Sequence, residues 1–426
     1  MNFIKNTFSY LCISISTILL LFTIYKSEYI YLGSIRNYFL KYYIFSSCLI
    51  FFSILSFWFK DILKIYLFII FSSIVVTLYS FEAYLNLSST KNTNKLDFFD
   101  NLKKNSLYAN LAVASDPGYY ILKKNNFFPL SGISNSKTLH CNENGYYSIY
   151  QSDRYGFNNP DKEWDQKDIE FLLIGDSFTH GSCVNRPHDI SSVMRILSNK
   201  SVLNLGYNGN GPLIEYATLK EYLRPNVKYV LWIYFEGTDL GDLKNELNSY
   251  ILRKYLTDDK FTQNLKEKQD NINNTILKSI DDSKKKKFSF NYFNFIKLTN
   301  LRINLNKIFL KNKKIKTSEG IIEQLEKILI QANNFVKNNN SKLFFVYLPD
   351  YPRYKSNNLI KEDNYKLIKK KVKQLNIPFI DIHEDVFQKE TNKLKLFPFE
   401  KPGHYNEYGY YKVATAIYNF IVNNNN

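Results

Sequence analysis

The segment Glu170-Phe-Leu-Leu-Ile-Gly-Asp-Ser-Phe-Thr-His-Gly181 joins a short apolar run to a polar turn. A short apolar run that ends at a turn is typical of a buried strand. Similar runs recur downstream and are separated by stretches of helical length and periodicity; they lie at 202–205, 229–235, 343–348 and 377–380. This alternation predicts a parallel sheet with helices on both faces, which is a doubly wound α/β domain.

Ser177 follows the first of these strands directly, on a turn that enters a helix. Ligands of doubly wound sheets bind at the carboxyl ends of the strands, so Ser177 is placed where a nucleophile is useful. A serine hydroxyl attacks poorly unless a base removes its proton. Among the five histidines, His404 lies between the last strand and the last helix, at the same end of the sheet. We predict that Ser177 is a nucleophile and that His404 is its base.

Four short blocks resemble those of the SGNH hydrolases, also called the GDSL family. Gly175-Asp176-Ser177 resembles the first block, Asn204-Leu-Gly-Tyr-Asn-Gly209 the second and Phe235-Glu-Gly-Thr-Asp-Leu240 the third, while His404 fits the last. The blocks occur in the family's order, and the resemblance covers roughly residues 165–425. It implies acyl transfer through a serine ester, with a hydrolase domain at 165–426.

The resemblance also implies an oxyanion hole built from the backbone amides of Ser177 and Gly206. The family's third block ordinarily adds an asparagine side chain, and Thr238 stands at that place in this sequence. Loss of one such donor can reduce the rate by about 10²- to 10³-fold. We expect Asp176 and Asp239 to anchor their turns through hydrogen bonds.

The acid that orients the histidine usually lies two or three residues before it in the family. Pro402 and Lys401 occupy those positions here. Glu400 is the nearest upstream carboxylate and is our first choice for this acid. Asp381, at the end of a strand, is an alternative, and a dyad of Ser177 and His404 without an acid also stays open.

Three apolar stretches near the N-terminus predict transmembrane helices at about 8–25, 42–59 and 65–81, within a region spanning residues 1–87. A cleavable signal peptide would explain only the first, and no small-residue cleavage pattern follows it. Lys64 at the edge of the third span could reach the interface. The Lys/Arg distribution between the loops does not decide the orientation.

Residues 88–164 are interpreted as a juxtamembrane linker with lead-in strands before the hydrolase domain. Charged, helix-like sequence at about 241–317 interrupts the strand–helix rhythm and predicts a helical insertion. Two interpretations of this insertion stay open, a cap over the site and a mobile surface excursion.

The net charge of +17 comes from scattered lysines without a recognisable nucleic-acid-binding motif, which indicates a solvated surface and no nucleic-acid partner. Cys12 and Cys48 fall in the apolar spans. Cys141 and Cys183 lie outside them without zinc-binding spacing, and their positions leave a disulfide between them open. The sequence predicts no metal and no cofactor.

The function expected from these features is that of a multi-pass membrane protein with a serine esterase domain acting on O-acyl groups, acetyl above all. Its substrate would be an acylated small molecule or polysaccharide. If that substrate is an envelope glycan, the domain is extracytoplasmic, which is the placement we favour. Two alternatives stay open: an O-acyltransferase that modifies an envelope polysaccharide, and a non-catalytic SGNH-like domain that binds glycan or a partner.

Overall fold

The structure, a computed structural model, describes residues 2–30, 36–91, 94–104, 111–114, 116–121, 127–287, 292–311, 319–355 and 359–424. The chain divides into two compact units. The first, here called the helical unit, comprises Met1–Asn92 and Asn291–Asn312. The second, here called the sheet unit, comprises Thr93–Phe290 and Lys313–Asn426.

The helical unit contains three helices that are long and apolar enough to cross a membrane. They are α1 (Asn2–Ile24), α2 (Arg36–Leu55) and α3 (Asp61–Lys91). Their apolar stretches are 24, 20 and 26 residues long, and about 20 residues suffice to cross the hydrocarbon core. The three helices predicted from the sequence are therefore confirmed.

Lys64, the charge at the edge of the third predicted span, is buried between helices. Its Nζ donates hydrogen bonds to Asn6 Oδ1 and to the Phe57 carbonyl oxygen, both at 2.9 Å. The side chain therefore does not need to reach outward to find polar partners, since α1 and the α2–α3 connection provide them.

The segment before the main sheet is more ordered than the linker we expected. After α4 (Asn94–Lys103), it forms a small sheet in which β2 (Lys137–Leu139) pairs parallel with β1 (Ala112–Val113) and antiparallel with β3 (Ile149–Gln151). Side chains from 127–165, including Phe157 and Trp164, join the core beneath the main sheet. Burial of these aromatic rings makes this segment an integral part of the sheet unit.

The main sheet has five parallel strands in the order β5-β4-β6-β7-β8. The strands are β4 (Ile169–Gly175), β5 (Val202–Asn204), β6 (Val227–Phe235), β7 (Lys342–Leu348) and β8 (Phe379–Asp381). Counted within the sheet, this is the order 2-1-3-4-5 of the flavodoxin-like folds, and it confirms the predicted doubly wound architecture.

Helices cover both faces of this sheet. Those of the sheet unit that precede β7 are α5 (Ser177–His180), α6 (Ile190–Ser198), α7 (Pro212–Tyr222), α8 (Asp239–Glu246), α9 (Tyr250–Thr257), α10 (Gln269–Lys287) and α13 (Glu319–Asn338). Between α10 and α13 the chain also forms α11 (Tyr292–Ile296) and α12 (Thr299–Lys311), which belong to the helical unit. Those that follow it are α14 (Tyr351–Lys355), α15 (Leu359–Gln374), α16 (Ile382–Asp385) and α17 (Glu407–Asn423).

The core is split by the sheet into two clusters, as the alternation of side chains along a strand requires. Leu172 and Ile174 of β4 face one cluster, with residues of α7 and α13. Phe171 and Leu173 face the other, with residues of α6 and α17. Burial on both faces explains why the strands read as continuous apolar runs.

The insertion predicted at about 241–317 is divided between the two units. Apolar side chains of its first part, including Leu243, Leu252 and Ile272, belong to the core cluster of the sheet. Residues 292–311, which form α11 and α12, cluster instead with the helical unit. The first part is therefore neither a loose excursion nor a separate cap, because its burial contributes to the same hydrophobic core.

Candidate active site

The turn after β4 presents Ser177 at the carboxyl edge of the sheet. Gly175 ends the strand, and a Cβ at that position would lie 2.6 Å from the Ile233 carbonyl oxygen, so only glycine fits. Asp176 then caps α5, because its Oδ1 accepts the Phe178 N–H at 2.8 Å. Ser177 is consequently the first residue of this short helix, and its Oγ lies 3.5 Å from Asp176 Oδ2.

Asp176 is itself deeply buried below the serine. Burial raises its pKa to about 7, although the Phe178 amide and the nearby His404 oppose the rise. A carboxyl group in this state is suited to holding a turn and costs energy to ionise.

His404 meets Ser177 across the site. Its Nε2 lies 2.8 Å from Ser177 Oγ, within the range expected for a nucleophile and its base. The imidazole packs beside the Phe178 ring, with 4.8 Å between the ring centroids. The structure therefore brings together the two residues predicted to form the core of the site.

Glu143 holds the other side of the imidazole. Both of its carboxylate oxygens lie 3.1 Å from His404 Nδ1, and Oε2 also accepts the His404 backbone N–H at 2.6 Å. A Cβ on Gly403 would approach Oε2 to 2.5 Å, so the glycine permits this contact. Burial alone would raise the pKa of Glu143, but its hydrogen bonds with His404 and their electrostatic attraction lower the pKa below its usual value.

A disulfide bond fastens the segment that carries Glu143 to the loop after the nucleophile. It joins Cys141, two residues before Glu143, to Cys183, six residues after Ser177. Cys183 Sγ also lies 3.6 Å from His404 Nδ1. The sequence left this pairing open, and it explains how a residue of the lead-in segment reaches the site.

Glu400, our first choice for the orienting acid, does not occupy that position. Its Oε1 accepts a hydrogen bond from Asn392 Nδ2 at 3.0 Å. Phe399 and Glu400 both adopt left-handed backbone angles, with φ of 50° and 54°, and this tight turn directs the carboxylate to Asn392. Asp381, the alternative, caps α16 and accepts a hydrogen bond from Tyr365 at 2.6 Å. The acid beside His404 is Glu143.

In the loop after β5, the Gly206 amide, which we expected to serve the oxyanion hole, is already engaged within the protein. The Gly206 N–H donates to Asn204 Oδ1 at 2.8 Å, and a Cβ on Gly206 would press against Thr179. Gly206 is therefore buried in the loop's own hydrogen bonding and does not offer its amide to a ligand in this structure. The tip of the loop, Asn208 and Gly209, is partly exposed.

Thr238 lies exposed at the N-terminus of α8, beside Asp242. Burial raises the pKa of Asp242 to about 6, and a hydrogen bond from the Thr238 side chain opposes that rise. The Thr238 hydroxyl thus has a carboxylate acceptor in this structure. It would have to rotate away from Asp242 to serve an oxyanion.

Asp116 adds a second carboxylate near Thr238 and Asp242. It lies against Gly209, where an added Cβ would collide with its carboxylate, and its negative charge raises the pKa of Asp242. Although the side chain is open to solvent, surrounding protein atoms raise its own pKa above the usual value. The loop tip and Thr238 therefore border a pair of acidic groups whose proximity no pattern in the sequence predicts.

Asp239 holds the turn at the end of β6 through a hydrogen bond. Its buried Oδ2 accepts the Phe235 N–H at 2.8 Å. Its other oxygen has no hydrogen-bond partner within the described ranges, and neither does Oε1 of the neighbouring Glu215. Burial raises the pKa of both carboxyls well above their usual values. Protonated acids are the state that such an environment favours.

Two further histidines near the site, His180 and His140, contact the loop after β5. His180 is buried, its Nδ1 lies 3.3 Å from the Gly206 carbonyl oxygen, and burial lowers its pKa to about 4. His140 Nε2 lies 2.5 Å from Asn208 Nδ2, which positions the loop tip. Glu143, Cys183 and His404 place potential metal ligands within 4.8 Å of one another, but the Cys183 sulfur is in a disulfide and the thiolate is the form that binds metals.

Ser177, His404 and Glu143 thus lie in one hydrogen-bonded line, an arrangement in which a serine can act as nucleophile and an imidazole as its base. The carboxylate fixes the ring orientation and favours the tautomer whose Nε2 can accept the serine proton. The sequence analysis predicted two of these three groups, Ser177 and His404. The third was missed because it lies 261 residues from His404 in the chain, and the only signal for it was its closeness to Cys141.

Comparisons with known proteins found distant similarity in structure alone. No protein-family model matches the chain, and a search of curated proteins found no match. Among solved structures, it is similar to a member of the lipolytic protein G-D-S-L family from Veillonella parvula, at 12% identity and a TM-score of 0.34, over 60% of this chain and 98% of that one.

Two further solved structures are similar at the same level. One is a putative lipolytic protein of the G-D-S-L family from Desulfitobacterium hafniense, at 12% identity and a TM-score of 0.32, over 59% of this chain and 99% of that one. The other is an acetyl xylan esterase, at 12% identity and a TM-score of 0.32, over 59% of this chain and 100% of that one.

Proposed function

We propose that the protein is a membrane-anchored serine esterase of the SGNH type that removes O-acyl groups, acetyl above all. The observation that carries this proposal is the line formed by Ser177 Oγ, His404 and Glu143, with contacts of 2.8 and 3.1 Å. The four sequence blocks that resemble the SGNH hydrolases support it independently.

In the proposed reaction, Ser177 Oγ attacks the ester carbonyl while His404 Nε2 takes its proton. The imidazolium that forms is stabilised by the Glu143 carboxylate, which keeps its negative charge because its pKa is lowered. His404 then returns the proton to the leaving alkoxide, and an acyl-serine remains. Water, deprotonated by the same imidazole, releases the acid and restores the serine.

The oxyanion that develops on the substrate carbonyl needs hydrogen-bond donors that are not already engaged by other groups of the protein. We assign this role to the Ser177 backbone amide and to the accessible loop tip at Gly209, because the Gly206 amide is engaged by Asn204. Thr238 contributes when its hydroxyl leaves Asp242. With one donor occupied in this way, we expect a modest turnover compared with enzymes that carry an asparagine there.

The charges around the loop tip indicate which substrates fit. Asp116 and Asp242 disfavour an anionic group beside the loop tip, since like charges repel. Carboxylates accept hydrogen bonds from hydroxyl groups readily. These acids therefore support a neutral, hydroxyl-rich substrate such as an acylated sugar.

The location that suits this substrate is extracytoplasmic. A disulfide such as Cys141–Cys183 forms and persists in oxidising compartments and is rare in the cytosol. Three spans place the two flanking segments on opposite sides of a membrane, so an N-terminus inside leaves the sheet unit outside. A reporter fused after Asn426 that is active only in the cytoplasm would contradict this placement.

The activity is tested with a chromogenic acetyl ester and the full-length protein in detergent. We expect hydrolysis by the wild type and its loss in Ser177→Ala, whereas the matched variant Ser198→Ala keeps the wild-type rate. Ser198 is the last residue of α6, where its Oγ donates to the Met194 carbonyl oxygen at 2.6 Å and accepts the Lys200 N–H at 3.1 Å. Equal rates for wild type and Ser177→Ala would contradict the esterase proposal for this substrate and favour a binding domain.

The same acyl-serine could pass its acyl group to a sugar hydroxyl, which would make the protein an O-acyltransferase. The acidic pair Asp116 and Asp242 would suit such an acceptor as well as it suits a substrate. Repeating the assay with an added oligosaccharide separates the two outcomes, because transfer yields an acylated sugar and hydrolysis yields free acetate.

A further inference from the structure

The helices α11 and α12 leave the sheet unit and join the helical unit. The chain reaches them after α10 and returns afterwards to α13, yet residues 292–311 belong to the helical unit. This excursion interrupts the α/β domain, and the esterase chemistry proposed above makes no use of it. Its contacts therefore call for a separate explanation.

The joint between this segment and α3 is specific. Glu82 of α3 is fully buried, and its carboxylate accepts hydrogen bonds from the backbone N–H groups of Asn300 and Leu301, at 3.0 and 2.8 Å. A carboxylate placed at a helix N-terminus in this way satisfies free N–H groups and complements the helix dipole. Tyr79, one turn earlier on α3, donates to the Ile296 carbonyl oxygen at 2.9 Å.

This joint lies close to the end of the apolar span. The third span runs from Asp61 to Asn86, and Glu82 is four residues from its end, roughly 6 Å along the helix axis. In a bilayer crossed by this span, the N-terminus of α12 would lie near the depth where hydrocarbon changes to headgroups.

Three apolar side chains of the segment are exposed. Ile296, Ile303 and Leu305 are 62, 47 and 41% exposed, although the residue that faces α3, Leu301, is 8% exposed. Two side chains near the end of α3, Phe81 and Tyr84, are 47 and 63% exposed. An exposed apolar surface that continues from a membrane-spanning helix is explained most simply by contact with lipid.

The charge of the segment suits the headgroup region. Residues 292–311 contain Lys297, Arg302, Lys307 and Lys311 and no acidic residue. Basic residues near an anionic membrane surface are attracted to its headgroups. The 13 residues of α12 span roughly 20 Å, less than the hydrocarbon thickness of about 30 Å, so α12 is too short to cross the bilayer.

We propose that residues 292–311 form an interfacial lipid-binding segment that lies in the membrane surface beside the end of α3. Its apolar side chains enter the boundary between headgroups and acyl chains, and its basic side chains bind anionic headgroups. The segment gives the sheet unit a second attachment to the membrane, in addition to the chain connection at Thr93.

The test uses depth-dependent fluorescence quenching in the full-length protein. A single cysteine is introduced by Ile303→Cys in a Cys12→Ser, Cys48→Ser background, which leaves the disulfide in place, and is labelled with a small fluorophore. The protein is reconstituted in vesicles of phosphatidylcholine and phosphatidylglycerol that contain lipids spin-labelled near the headgroup. Phe81→Cys on α3 is the positive control. Ile196→Cys, an exposed isoleucine of α6 in the sheet unit, is the matched negative control.

We expect the label at 303 to be quenched to an extent comparable with the label at 81 and clearly more than the label at 196. Quenching no stronger than at 196 would overturn the proposal. Quenching that appears only after dilution of the protein in lipid would also overturn it, because it would show that a second copy of the chain covers this surface.

Discussion

The contact between Glu143 and His404 is the feature at the residue scale on which the proposed chemistry depends most. We expect Glu143→Gln to lower kcat for an acetyl ester by up to about 10⁴-fold, because the ring would lose both its orientation and its compensating charge. The measurement is the steady-state rate of the variant and the wild type, with substrate well above KM.

Glu400→Gln is the matched control for this prediction. Glu400 is nearer to His404 in the sequence, but its carboxylate contacts Asn392. We expect its rate to stay within about twofold of the wild type, since the exposed contact is worth little. A large loss in Glu400→Gln, together with a normal rate in Glu143→Gln, would reverse the assignment.

Residues whose role depends on their immediate neighbours in the chain could be predicted. Ser177 follows a strand directly and His404 precedes a helix, so the topology alone brings both to one edge of the sheet. Glu143 could not be found in this way, since its contact depends on the disulfide and on the room left by Gly403. The prediction that Gly206 offers its amide to the oxyanion could not anticipate the hydrogen bond that engages this amide within the loop.

At the scale of elements, the disulfide Cys141–Cys183 connects the segment that carries Glu143 to the loop that follows Ser177. It closes a loop of 42 residues, for which the chain-entropy estimate of stabilisation is roughly 4 kcal/mol. We expect the variant Cys141→Ala, Cys183→Ala to unfold more easily by about this amount. We also expect its kcat to fall towards that of Glu143→Gln, because the segment that holds Glu143 loses its fastening.

A thiol reductant provides the control for this prediction. It should lower the activity of the wild type and leave the double variant unchanged, because the free Cys12 and Cys48 lie in the helical unit. Full activity of the double variant would contradict the proposed role of the disulfide in placing Glu143.

The elements themselves were predictable to different degrees. The strands of the main sheet are buried on both faces, so their apolar runs are conspicuous. The insertion was recognised as helical, but its division between two units was not. That division depends on Glu82 meeting Asn300 and Leu301, a contact across more than 200 residues that no local periodicity reveals.

At the scale of the whole molecule, buried carboxyl groups set the pH dependence of stability. Burial raises the pKa of Asp153 to about 6, of Asp176 to about 7 and of Glu246 to about 8. Between pH 4 and 8 the folded protein therefore binds more protons than the unfolded chain, and the free energy of unfolding falls as the pH rises. His180, with its pKa lowered to about 4, acts oppositely only below about pH 6.5.

We expect the thermal midpoint of the sheet unit to be lower at pH 8.5 than at pH 6.5, as measured by the fluorescence of the buried Trp164 and Trp232. Asp176→Asn retains a side-chain oxygen that can cap α5 but has no proton to lose. This variant should reduce the slope of the free energy of unfolding against pH by at most about 1.4 kcal/mol per pH unit. A midpoint that rises with pH in the wild type would contradict this account.

The central claim is that Ser177 is an activated nucleophile, and labelling with a serine-directed fluorophosphonate tests it most directly, because the probe requires no knowledge of the natural acyl group. The account predicts that the full-length protein is labelled at Ser177, identified by mass spectrometry of the modified peptide, that Glu143→Gln is labelled more slowly and that Ser177→Ala is not labelled. An unlabelled wild type, or equal labelling of the wild type and Ser177→Ala, would contradict it.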